Sequence, residues 1–548
     1  MTSSAMRRSA FSLPLVLTLP LCLAGCFGSD DKDTKPASAC HVLDVSPLIR
    51  FDATFVNPLI SATYTAPAAG RCNTLVLRLG QDTVPTRVVL ASEQPNPEGG
   101  IIGSMTIEPI ADLQPSGAYG VFLDDHFVTT FATGTQRRGD FIKAEDVRVD
   151  FLALPKSDRV AKDQINGLLT PYADALLKQL RIPATSEPYV RELLRHHLPT
   201  LAAPGAVHDV LVRRLVYRSN DADGYPVSLS GLLVFPVQAP GGPAVDYNGM
   251  SLVLGQRGAL RQGEPAPSSG AHEMLAPALL AAGKGHIFFA PDLIGHGESA
   301  ALPQAFLIAK EAAGHTVDML TAVREYFKQQ HSAQPGTALN VFGVSQGAFS
   351  AIAALPALSP TTTLHNVYGV SGPYDVRRTV DSALRAAAGE ARDDYARDAN
   401  LALIPGYLRL ALDSLKEYQN FAYDPKTVFD DKLQVLPSFL TDYKNGKHKR
   451  LAAHLAVNSP AAGSQRLDAT MARLRLYRYG ADTLVASRNT DDMLAQLRAQ
   501  RSGIAEATAG DCREQSAVVK EVVAQSTSPS TPHAICTPFV LNDFIGAL

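Results

Sequence analysis

The pentapeptide Gly343-Val344-Ser345-Gln346-Gly347 sets a serine between two glycines, a spacing that can make a hydroxyl reactive. Strand-like apolar sequence from Ala338 to Val344 leads in, and helix-forming sequence from Gln346 to Leu355 leads out. A sharp strand-to-helix turn there would hold Ser345 in a strained backbone region, and a side chain at either glycine would crowd it. The competing reading is a tight turn with an inert serine. A serine hydroxyl is a poor nucleophile near neutral pH, so it needs a base, and the base needs an orienting acid. In folds built on such an elbow the order along the chain is serine, acid, histidine. Asp482 follows the apolar run from Leu474 and is the expected acid. Capping of the next helix is its alternative use, and Asp491 and Asp492 are its rivals. Only His533 lies beyond Asp482, which makes it the expected base. His296 in a glycine turn and His286 at the start of a buried strand fit less well.

Elements must bring these residues together across nearly two hundred positions. From about Val207 apolar runs alternate with helical stretches. Val210 to Tyr217 and Val227 to Phe235, around Asn220-Asp-Ala-Asp-Gly224, predict an opening hairpin. Ser251-Leu-Val-Leu254, His286 to Ala290, Leu339 to Val344 and Leu474 to Tyr479 predict buried strands, with helices such as His315 to Phe327 between them. That alternation means a mainly parallel sheet covered on both faces. Residues 374–460 lack strand runs and read as a helical insertion, a cap over the active edge. Its apolar stretches Leu401-Ala-Leu-Ile404, Tyr407-Leu-Arg-Leu410 and Phe439-Leu440 could line an acyl pocket or simply form helix core.

The region from Val207 to the C-terminus resembles the α/β-hydrolase superfamily, in particular its secreted esterases and lipases. Besides the elbow, Ala290-Pro-Asp-Leu-Ile-Gly-His-Gly-Glu-Ser299 is similar to the loop after the strand that precedes the elbow. Leu252-Val-Leu-Gly-Gln256-Arg257-Gly258-Ala259 is similar to the strand and turn that usually read His-Gly, with Arg257 as a departure. The resemblance implies an oxyanion hole made by the backbone N–H groups of Gln346 and Ala259, acyl transfer through Ser345, Asp482 and His533, and no cofactor. It implies a carboxylic ester hydrolase acting on an ester or lipid, with a lysophospholipase or phospholipase, or a serine peptidase, as the alternative. A third reading is a non-catalytic surface binding protein.

Four segments precede this region. Residues 1–25 read as a secretory signal: Arg7 and Arg8, then a short apolar run from Phe11 to Leu23 broken by Pro14 and Pro20. Leu23-Ala-Gly-Cys26 resembles the lipobox of bacterial lipoproteins, which implies lipidation at Cys26 and a membrane anchor. Phe27 after it looks like outer-membrane sorting in a Gram-negative cell. Residues 26–39 are polar and suit a flexible tether. Residues 40–135 carry short β runs, among them Phe51 to Val56, Thr74 to Leu79, Thr86 to Leu90, Ser104 to Ile107 and Tyr119 to Leu123. They predict an antiparallel sandwich whose last strands resemble bacterial immunoglobulin-like modules, either a binding module of unknown partner or a spacer. Residues 136–206 read as a helical connector, with amphipathic patterns over Val160 to Leu180 and Tyr189 to Leu198.

Four cysteines remain in the exported body, and their even number predicts disulfides paired locally as Cys40–Cys72 and Cys512–Cys536. Without CxxC or HExxH no metal site is expected, and adjacent His196 and His197 diverge on a helix. Fifty basic against fifty-three acidic residues, with no basic block, argue against nucleic-acid binding. The 46% of hydrophobic residues suffices for a large core.

Overall fold

The computed structural model describes residues 40–548 except 70, 71, 73, 151–153, 155, 156, 243, 258–263, 398, 402, 403, 461–470, 500–503 and 513–516. The signal sequence, Cys26 and the tether lie outside the described residues, and so does Ala259.

The N-terminal strands are β1 (His41–Ser46), β2 (Ile60–Ala66), β3 (Leu75–Leu79), β4 (Asp82–Val84), β5 (Thr86–Pro95), β6 (Ile101–Pro109), β7 (Ala118–Leu123) and β8 (His126–Ala132). They form two four-stranded antiparallel sheets, ordered β1-β2-β6-β5 and β4-β3-β7-β8. Alternate residues of both sheets point inward, so Ile60, Ala62 and Ile107 of one meet Leu75, Leu77 and Val121 of the other in one core. The Tyr119 hydroxyl accepts the Gln114 N–H at 2.9 Å and pins the turn before β7. The disulfide Cys40–Cys72 joins the start of the first sheet to the approach of the second. The strand expected at Phe51 to Val56 is absent. Phe51 is fully exposed, and Thr54 makes only an isolated bridge to Thr133. Phe55 and Val56 are buried there, and the Val56 N–H donates to Gln136 O at 2.9 Å without continuing the bridge into a strand.

Residues 136–206 are not wholly helical. β9 (Phe141–Asp146) and β10 (Arg159–Val160) precede helices α1 (Lys162–Asn166), α2 (Leu169–Gln179), α3 (Glu187–His197) and α4 (Pro199–Ala202). Both strands pair antiparallel with the long strand β11 (Asp209–Asn220). Sequence periodicity overlooked them because each is short and half-exposed, at the antiparallel margin of the sheet. Gly167 divides the expected long helix into α1 and α2.

β11 turns back at Asp221 into β12 (Pro226–Val237), the hairpin the sequence predicts. Then follow β13 (Leu252–Arg257), α5 (Leu275–Gly283), β14 (Ile287–Pro291), α6 (Ala309–His331), β15 (Ala338–Val344), α7 (Gln346–Leu358) and β16 (Thr363–Val370). Five helices come next: α8 (Val376–Ala387), α9 (Ile404–Gln419), α10 (Pro425–Val428), α11 (Pro437–Lys444) and α12 (Lys449–Val457). β17 (Met471–Arg478), α13 (Arg488–Ala499), β18 (Ile504–Asp511), α14 (Ala517–Gln525), α15 (Thr531–Ala534) and α16 (Cys536–Ala547) complete the chain. The ten-stranded sheet runs β10-β11-β12-β14-β13-β15-β16-β17-β18, with β9 on β11. Strands β13 to β18 are parallel.

The sheet is buried on both faces, and β14 shows it residue by residue. Ile287 and Phe289 face the core under α6 and α7, whereas Phe288 and Ala290 face the core under α5 and α16. Val89 and Leu90 of β5 belong to the first of these cores, and Ile102 of β6 packs on Ala453 and Val457 of α12. The N-terminal sheets thus pack on the core of the large sheet and on its inserted helices.

Candidate active site

Ser345 stands where β15 ends and α7 begins, with φ 56° and ψ −123°. No L-residue takes that conformation without strain, and the surrounding packing holds it. The Ser345 N–H donates to Val370 O at 2.7 Å on the neighbouring strand. A Cβ on Gly343 would lie 2.6 Å from the Gly347 carbonyl oxygen, and one on Gly347 would lie 1.9 Å from that of Gln256. Both glycines are therefore required by close backbone approach, as the sequence reading expects.

Asp482 follows β17, and His533 lies in α15 after β18. The structure brings both to Ser345. His533 Nε2 is 2.8 Å from Ser345 Oγ, and His533 Nδ1 is 2.8 Å from Asp482 Oδ2 and 3.0 Å from Oδ1. A carboxylate can only accept, so Nδ1 carries the proton and Nε2 is free to accept the serine hydroxyl. All three side chains are buried. Asp482 is also fixed by its own loop, because Oδ1 accepts the N–H groups of Leu484 and Val485 at 2.9 and 3.0 Å. Those N–H groups lie in the loop before α13 (Arg488–Ala499), so Asp482 braces its own turn and does not cap the helix. The rivals are engaged elsewhere: Asp491 pairs with Arg478, and Asp492 with Arg378 and Arg488.

The Cys512–Cys536 disulfide ties the end of β18 to the start of α16, three residues past His533. His286 Nδ1 instead meets Ser251 Oγ at 2.5 Å, and His296 is buried in its glycine turn.

Gln346 opens α7, so no carbonyl of its own helix can accept its backbone N–H, and the helix dipole favours negative charge there. Its neighbour Gly347 abuts the Gln256 carbonyl at the end of β13, where Gln256 Nε2 donates to Thr316 Oγ1 at 2.6 Å. Arg257, the departure from the usual histidine, is paired with Glu273.

A cavity opens beside Ser345 and Gln346. Its walls are mainly apolar: Phe306 and Leu307 on one side, Val380 of α8, Ile404, Tyr407 and Leu408 of α9, and Leu484 and Val485 from the aspartate loop. Of the cap stretches the sequence singled out, Ile404, Tyr407 and Leu408 line it, and Leu410 is not among its walls. Nor is Phe439, which packs against Tyr443 and His448. Phe306, Leu307 and the aspartate-loop residues carried no sequence signal, since each is an ordinary apolar residue until the fold turns it toward the serine.

No protein-family model matches this chain, and no curated protein matches it either. Among solved structures it is similar to LipA, a rice cell wall degrading esterase from Xanthomonas oryzae. That likeness has a TM-score of 0.53 and 16% identity, covering 75% of this chain and 99% of that one. It is also similar to a Legionella pneumophila protein described as a candidate hydrolase, with a TM-score of 0.50 and 15% identity over 74% of this chain and 96% of that one. The chain has the α/β-hydrolase fold. At such identities the likeness is one of fold, and any chemistry rests on the residues themselves.

Proposed function

We propose that the protein is a serine carboxylester hydrolase of the esterase or lipase kind, working through an acyl-enzyme on Ser345. The carrying observation is the unbroken contact from Ser345 Oγ through His533 to Asp482 at the tip of a strained elbow. In this reading Ser345 Oγ attacks the ester carbonyl while His533 Nε2 takes its proton. Asp482 holds the imidazole ring and stabilises its charged form. The backbone N–H groups of Gln346 and Ala259 receive the oxyanion, each worth about 3 kcal/mol of barrier. His533 then protonates the departing alcohol, and a water, activated by the same imidazole, releases the acid. The apolar cavity takes the acyl chain.

The Ser345→Ala variant tests this: ester turnover is expected to fall by roughly four orders of magnitude or more. Fluorophosphonate labelling should vanish with it. Full turnover in that variant, free of contaminating esterase, would end the proposal.

The N-terminal reading belongs here too. Cys26 is proposed as the lipidated residue of an exported, membrane-anchored lipoprotein, which Cys26→Ser should release into the soluble fraction. No helix among the described residues is long and apolar enough to cross a membrane. An immunoglobulin-like architecture for the first two sheets is supported by their strand order and by the tyrosine hydroxyl at the entry to β7.

A further inference from the structure

The apolar cavity beside Ser345 has a neighbour of opposite character. A smaller space under the aspartate loop is lined by Asp394, Arg397, Gly480, Asp482 and Ser487. Three residues border both spaces: Tyr395, Ala399 and Leu484. Of the three, only Tyr395 carries a ring, and it is only 3% exposed.

That ring is held from several directions. Its hydroxyl donates to Asp492 Oδ2 at 2.7 Å, and the Arg378 guanidinium lies 4.6 Å from the ring centroid. Asp492 is in turn paired with Arg378 at 2.9 Å and Arg488 at 2.8 Å. The backbone around it is anchored as well. Tyr395 N–H and Ala396 N–H both donate to Asp393 Oδ1 at 3.0 Å, and Asp393 Oδ2 accepts from Ser382 of α8 at 2.7 Å. Asn400 N–H donates to Thr483 O at 2.8 Å, next to Asp482 itself. Burial and the Asp492 carboxylate push the phenol's pKa up, so the hydroxyl stays protonated and keeps donating.

We infer that the ring of Tyr395 is the partition that sets how long an acyl chain the site accepts. The inference rests on the ester-hydrolase reading of Ser345 and adds its selectivity. On the serine side of the ring a methylene leaves water for apolar walls, which is favourable. The ring borders the far side of this cavity, so the next methylenes meet its face and the gain ends there. A pinned ring cannot swing aside as a free aliphatic side chain would, so the limit is sharp.

The test uses full-length protein and nitrophenyl esters of two to sixteen carbons, with fluorophosphonate labelling of Ser345 as the control. Tyr395→Ala should move the chain-length optimum at least about two carbons longer. It should raise kcat/KM for the ester just beyond the wild-type optimum by roughly tenfold or more. Tyr395→Phe keeps the ring and should keep the optimum. Ala399→Leu adds bulk at the same partition and should shift the optimum shorter, which also decides the matter if Tyr395→Ala does not fold. Labelled variants with an unchanged acyl optimum would overturn this inference alone. So would a shift that appears only when the alcohol of acetate esters is lengthened. Absence of labelling in the wild type would overturn both this inference and the hydrolase reading beneath it.

Discussion

Asp482 does two jobs with one carboxylate. Oδ1 accepts two N–H groups of its own turn, and both oxygens face His533 Nδ1. An asparagine there could keep Oδ1 on the turn while presenting an NH2 group to the imidazole. The histidine would then carry its proton on Nε2, where it cannot accept one from Ser345. Asp482→Asn should therefore fold like the wild type and lose kcat by about 10⁴, a size seen for the same change in a serine protease triad. Matching thermal unfolding with a large loss of ester turnover is the expected pair of results. An equal loss of stability and activity would make Asp482 a structural brace of its turn only.

Two elements make separate predictions. The Cys512–Cys536 bridge closes a sequence separation of 24 residues and holds the start of α16 just past His533. Replacing both cysteines by serine should cost about 3 kcal/mol in urea unfolding and lower kcat more than it raises KM, because it loosens the base and not the cavity. Unchanged kinetics would separate the bridge from the site. On α12, His454 is fully buried. Its Nδ1 faces Gln419 Oε1 at 3.3 Å, and burial, aided by Arg450, pushes its pKa down to about 4. Above pH 6.5 the imidazole is neutral whether the chain is folded or unfolded. Below that value only the unfolded chain takes up the proton, so stability falls as the pH drops towards 4. Between pH 7.5 and pH 4.5 His454→Gln should lose roughly 2–3 kcal/mol less stability than the wild type. Parallel losses would contradict the assignment.

Across the whole molecule, buried charge as well as apolar contact ties the first two sheets, and the segment that follows β8, to α6 of the large sheet. Arg138 donates through Nη2 and Nε to the Asp318 carboxylate of α6 at 2.7 and 3.2 Å, with both residues almost fully buried. Its backbone N–H and Nη1 reach Asn57, in the loop before β2. Lys310 of α6 likewise faces Asp44 of β1 at 3.5 Å. Cutting Arg138 to methionine leaves the Asp318 carboxylate buried without its cation, a change that costs about 3–5 kcal/mol. Calorimetry should show one transition, lowered as a whole in Arg138→Met. A separate early transition with the transition of the large-sheet body unmoved would make the N-terminal sheets an independent module.

The elbow, the serine–acid–histidine order, the local disulfides, the parallel strands around β15 and the helical insertion were all legible in the residues, because each is written in local pattern or in forced order. A lone histidine downstream of Asp482 left no choice, and the glycines flanking Ser345 admit few other turns. β16, β18 and the short β9 and β10 were not legible. Their sequences are mixed, and they become strands by pairing with neighbours already in place. The same holds for the cavity wall, where Tyr395, Phe306 and Leu484 arrive from segments far apart in the chain. The packing of the N-terminal sheets against the core of the large sheet is of that kind as well. Burial and partner choice are properties of non-local contact, and a one-dimensional pattern carries no record of which distant surface will cover a given side chain.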